Sequence, residues 1–177
     1  MIKNIILLLI FLILPNFSLA CDKEDFLKFV SAGKKKCIAL QTIGKIERNK
    51  KNLIIFLHGD LSSGAKPPGK KGYWKLGNEL LSDNVNFFFL ARPGYTLDSG
   101  RKSYGSYKET RKAKTNYKWE KLELVAKAAQ NLKEHYNANN LIMIGHSGGA
   151  LTSATINGRV PKLIDKSILI SCPCDFE

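Results

Sequence analysis

The sequence is poor in the residues that build metal centres. Its 177 residues include three histidines and four cysteines. No Cys-x-x-Cys pair occurs, and His58, His135 and His146 fall in no ligand-spaced cluster. A structural zinc site is therefore not the reading of the cysteines, and neither a bound metal nor a cofactor is expected. Long hydrophobic runs are also scarce. Ile5 to Leu14 is unbroken and apolar, but too short to span a bilayer comfortably. Carboxylates are outnumbered, with 15 Asp and Glu against 28 Lys and Arg, for a net charge of +13. Such a balance attracts anionic surfaces and acidic polymers. Lysines solvated on helix faces account for most of it, and nucleic acid is not an expected partner. Internal repeats and interdomain linkers are absent, and 44% hydrophobic content is enough for one compact core.

What is present begins with an export signal. Met1-Ile2-Lys3-Asn4 carries positive charge, the apolar run follows and closes at Pro15, and Ser18-Leu19-Ala20 supplies small residues where a signal peptidase reads. The expectation is a signal peptide over 1–20 and a domain over 21–177, exported to the periplasm or secreted. A lipoprotein anchored through Cys21 is the lesser alternative, because Ser18 stands where leucine is normal for that signal. In an oxidising compartment Cys21, Cys37, Cys172 and Cys174 make an even set with three possible pairings, and the sequence does not choose among them.

Along the domain, Asp22–Val30 reads as a short helix and Ala39–Ile46 as an edge or bulged strand, because Gly44 interrupts it. Leu53–Leu57 and Asn86–Leu90 read as buried strands, with a helix over Tyr73–Ser82 between them. Leu61–Gly72 is a Gly/Pro/Lys loop. Asp98–Lys121 is the most basic stretch and carries Tyr104, Tyr107, Tyr117 and Trp119. A long amphipathic helix runs from Trp119 to about His135. Leu141–Ile144 is a third buried strand and Ser167–Ser171 a fourth.

The third of these strands leads into the central motif. After it comes Gly145-His146-Ser147-Gly148-Gly149, and then the small residues Ala150, Thr152, Ser153 and Ala154 suit a tightly packed helix. A serine on a sharp strand-to-helix turn is strained, so the positions two before and two after it must be free of clashing side chains. Gly145 and Gly149 meet that demand. The turn also sets Ser147 at a helix N-terminus, where free N–H groups favour developing negative charge.

This G-x-S-x-G and its context resemble the nucleophile elbow of the α/β-hydrolases. The resemblance covers roughly Leu40 to the end of the sequence. It implies a doubly wound, mostly parallel α/β sheet with the final strands missing, and Ser147 as nucleophile. His58-Gly59-Asp60 then resembles the loop that gives one oxyanion donor, so the N–H groups of Asp60 and Gly148 are the expected oxyanion hole. His58 itself is read as a strand-end histidine holding that loop by a hydrogen bond. Asp175 is the candidate acid. In this family the histidine follows the acid, yet none follows His146, the variable position inside the elbow. A fragment, a degenerate relative or completion by a second chain would each explain this. The expected function is a serine hydrolase of small-molecule or peptide esters, thioesters or amides. The alternative is a non-catalytic, basic envelope-binding relative using Asp98–Lys121. Oligomeric state is left open.

Overall fold

The computed structural model describes residues 25–60, 73–106 and 117–174. The expectations for 1–20, Cys21, the Leu61–Gly72 loop and Asp175, and part of that for Asp98–Lys121, lie outside these residues. Six strands and three helices are described: β1 (Phe29–Ser31), β2 (Cys37–Ile43), β3 (Asn52–Leu57), α1 (Tyr73–Glu79), β4 (Val85–Leu90), α2 (Trp119–His135), β5 (Asn140–His146), α3 (Gly148–Arg159) and β6 (Lys166–Ile170).

The strands form one sheet in the order β1-β2-β4-β3-β5-β6. β4, β3, β5 and β6 are mutually parallel, whereas β1 and β2 run antiparallel at one side. β3 pairs with β4 and β5 over its whole length, from Asn52 to Leu57, and is the centre of the fold. Its sequence explains that place. With a period of two, Leu53, Ile55 and Leu57 face one cluster and Ile54 and Phe56 the other. The first cluster takes Leu122, Val125, Ala129 and Leu132 of α2 and Ile156 of α3. The second takes Trp74 and Leu76 of α1. Apolar cover on both faces is what a parallel sheet requires.

Three expectations are corrected. Phe26, Phe29 and Val30 share no helix. The Asp25 carboxylate instead accepts the N–H groups of Leu27 (3.1 Å), Lys28 (2.5 Å) and Phe29 (3.1 Å), and the turn thus closed releases Phe29 and Val30 into β1. β2 is an inner strand between β1 and β4, and Gly44, at φ +71°, ends it rather than bulging it. β6 is not buried: Ile168, Leu169 and Ile170 are exposed, and β6 is the sheet's outer strand among the described residues. Of the cysteine pairings the sequence left open, the structure has Cys172 bonded to Cys174.

Candidate active site

The parallel strands point their C-terminal ends to one rim, and the elbow stands there. β5 ends at His146, α3 starts at Gly148, and Ser147 between them has φ 51° and ψ −120°. A non-glycine residue held there costs on the order of 1–3 kcal/mol and persists only where its surroundings over-determine it. The surroundings here do so. Ser147 donates its N–H to Ile170 O of β6 at 2.8 Å, and its carbonyl accepts the N–H groups of Ala150 and Leu151 at 2.9 and 3.1 Å. A Cβ at Gly145 would fall on the backbone of Gly149 and Ala150, and one at Gly149 on the carbonyls of Leu57 and His58. The N–H of Gly148 opens α3, with no preceding turn to accept it.

The loop leaving β3 packs directly on this turn. A Cβ at Gly59 would lie 3.0 Å from Ser147 Cβ and 3.1 Å from His146 Nδ1. His58 fixes the loop. Arg92 N–H donates to His58 Nε2 at 3.1 Å, so the ring proton sits on Nδ1 and is donated to Gly59 O at 2.8 Å. Burial, with help from the Arg92 charge, pushes the His58 pKa down to about 3, so the ring is neutral and both nitrogens are committed.

Asp60, next along the loop, is held by residues the sequence did not single out for the site. Its Oδ1 accepts hydrogen bonds from Arg92 Nη2 and from Tyr95 Oη (3.1 Å), and its Oδ2 accepts one from Tyr117 Oη (2.5 Å). Burial raises the Asp60 pKa, but the Arg92 charge and the hydrogen bonds from Tyr117, Arg92 and Tyr95 outweigh it and hold the carboxyl below its ordinary range. Arg92 also reaches Thr152 Oγ1 at 3.5 Å, and Thr152 donates to Gly148 O at 2.8 Å. One buried guanidinium thus ties the β3 loop to the first turn of α3. No local pattern in the sequence assigns Arg92 to Asp60, 32 residues apart.

The structure therefore gathers Gly145, His146, Ser147, Gly148, Gly149 and Asp60 at one point. Of the other histidines, His58 lies under the loop, fully engaged. His135 stacks on Phe26, with ring centroids 3.6 Å apart. It sits at the opposite rim, where the neighbouring Tyr136 O accepts the N–H of Asn49 ahead of β3.

Solved structures share this fold. An esterase of Pyrococcus furiosus superposes with a TM-score of 0.59 at 17% identity, covering 82% of this chain and 48% of its own. Est1E of Butyrivibrio proteoclasticus, solved with ferulic acid bound, gives 0.58 at 17% identity, covering 81% and 52%. The thioesterase domain from the curacin biosynthetic pathway gives 0.56 at 19% identity, covering 82% and 46%. The chain has the α/β-hydrolase fold. It spans about half the length of these α/β-hydrolases. No protein-family model and no curated protein matches the sequence.

The neutral His58 of this α/β-hydrolase fold makes its stability depend on pH. The folded pKa lies below the unfolded value of 6.5, so the fold gains from the neutral ring above that pH. Below it the unfolded chain takes up a proton that the folded chain refuses until about pH 3, and stability falls by about 1.4 kcal/mol per pH unit from this group. Denaturant unfolding at pH 7, 6, 5 and 4 should show that slope, and His58→Gln should flatten it. An equal slope in the variant would mean that other groups carry it.

Proposed function

We propose that the protein is an exported serine hydrolase that cleaves an ester, thioester or amide bond of a small molecule or peptide through Ser147. In this reading the Ser147 Oγ attacks the carbonyl carbon while a histidine takes its proton. The carbonyl electron pair moves onto oxygen, which the N–H groups of Gly148 and Asp60 receive. Collapse of that adduct expels the leaving group with the proton, and water then releases the acyl group by the same path. Donors preset for that oxygen are worth a few kcal/mol of barrier each. The Asp60 carboxylate beside the hole would oppose a developing anion, and the Arg92 guanidinium offsets it.

The observation that carries the reading is the backbone of Ser147: a serine strained at the head of a helix, between glycines that nothing larger can replace. The resemblance to esterases and a thioesterase supports it at the level of fold. In this reading the histidine is supplied from outside these 177 residues, with Asp175 as the candidate acid: His58 has both ring nitrogens engaged, and His135 lies at the opposite rim. Export follows from the reading of residues 1–20.

The test is labelling of the folded protein with a fluorophosphonate probe beside a Ser147→Ala control. Labelling of the wild type that disappears in the control is the expected result. The other reading is a non-catalytic, basic envelope-binding relative of the same fold; a folded wild type that never labels, even where another chain that could supply the histidine is present, would decide for it.

A further inference from the structure

The geometry points to a binding site for a phosphate- or carboxylate-bearing sugar at a second place on the same rim, independent of whether Ser147 reacts. A cavity of about 690 Å³ opens between the 33–36 turn and the 99–105 loop. Lys35, Arg101 and Lys102 line it together with Phe29, Tyr104 and Ser99, and no carboxylate among the described residues lines it. None of the three cations forms an ion pair within 4 Å among the described residues. Three positive charges converging on one cavity repel each other, and an anion there relieves the repulsion.

The walls are built rather than loose. Lys36 N–H donates to Gly33 O at 3.0 Å and Ala32 N–H to Lys36 O at 2.8 Å, which closes the lysine turn. Across the cavity, Leu97 N–H donates to Arg101 O and Gly100 N–H to Leu97 O, both at 2.8 Å. Ser103 is buried and bridges strands: its Oγ donates to Ala91 O at 2.6 Å and accepts Ala39 N–H at 2.9 Å. Tyr104 N–H donates to Cys37 O at 2.8 Å, fastening the loop to the start of β2. The Arg101 Nε is spent on Leu40 O at 3.1 Å, which anchors the guanidinium and leaves its Nη groups without a partner among the described residues. A guanidinium fork so held suits a planar carboxylate or a phosphate.

The ring residues give the ligand more than charge. Tyr104 is 48% exposed beside the cations, with Lys36 Nζ 5.3 Å from its ring centroid, and Phe29 lines the same cavity. An aromatic plane next to a cationic fork fits a sugar ring that carries the anionic group. Because β2 lies three strands from β5, the site is about 14 Å along the rim from Ser147 at ordinary strand spacing. It needs no contribution from the elbow.

The experiment is calorimetric titration of the whole protein at low salt with glucose 6-phosphate, with galacturonate and with neutral glucose. Saturable binding of either anionic sugar, absent for glucose, is expected. The Lys35→Gln/Lys102→Gln variant should weaken it on the order of tenfold, and Arg101→Gln should do likewise. The Lys35 and Lys102 side chains make no hydrogen bond or ion pair among the described residues, so that variant should stay folded even where Arg101→Gln does not. Lys51→Gln, exposed at the opposite rim, should bind like the wild type. Equal weakening by Lys51→Gln would trace binding to net charge alone. That outcome, like binding no tighter than glucose, overturns the proposal.

Discussion

Gly149→Ala is expected to destabilise the fold by about 3 kcal/mol or more, a large share of the roughly 5–15 kcal/mol that keeps a domain folded. The added Cβ would meet the Leu57 and His58 carbonyls, the latter at 2.6 Å. Both belong to the exit of β3, the central strand, and neither is the soft end of a side chain. Relief would need α3 to move away from the sheet, and α3 carries Ala150, Thr152, Ser153 and Ile156, all buried. Two other glycines calibrate the result. A Cβ at Gly148 meets the Tyr117 hydroxyl and the Asp60 carboxylate, side-chain ends that can yield, so Gly148→Ala should cost less. A Cβ at Gly158 meets nothing within 4 Å, and alanine there should stabilise α3 by up to about 1 kcal/mol. Thermal melts of the three variants check the order. Gly149→Ala melting with the wild type would mean that the strand-to-helix packing is not the constraint argued here.

The second large effect is an asymmetry within one ion pair. The Arg92 side chain is 4% exposed and that of Asp60 39%. Asp60→Ala strands a buried guanidinium, and breaking such a pair from that side costs roughly 3–5 kcal/mol, taken at the low end because Asp60 already reaches water. Arg92→Met refills the volume and leaves a carboxylate that Tyr95, Tyr117 and solvent still serve, so it should cost about half as much. Urea unfolding at pH 7 measures both. A larger loss for Arg92→Met would reverse the argument and make packing, not charge, the main role of Arg92. Both changes keep the backbone N–H of residue 60, so stability and any fluorophosphonate reactivity are separable in the same variants.

These two cases also divide what the chain encodes locally from what it does not. The elbow glycines were legible, because a strained serine between a strand and a helix imposes its demand within five consecutive residues. The inner strands were legible too, since runs such as Leu53–Leu57 have no stable place except between two apolar layers. His58 as the residue holding its own loop followed from its position at the end of such a run, and its bonds to Gly59 and Arg92 agree.

Residues 22–30 misled because Phe26, Phe29 and Val30 fit helical spacing, while the competing Asp25 turn is a side-chain-to-backbone effect that periodicity ignores. The exposure of β6 was hidden for another reason: Ile168-Leu169-Ile170 reads the same whether or not anything covers it. By itself, then, the sequence determined the α/β layering, the elbow and the loop that leaves β3 at His58-Gly59, which rest on short-range sterics and hydrophobic period. Only the tertiary structure decided that Arg92, Tyr95, Tyr117 and Thr152 lock that loop to α3, and that Lys35, Arg101 and Lys102 share a cavity. Charges and hydrogen bonds between residues far apart in the chain have no period, and only the completed sheet brings them together.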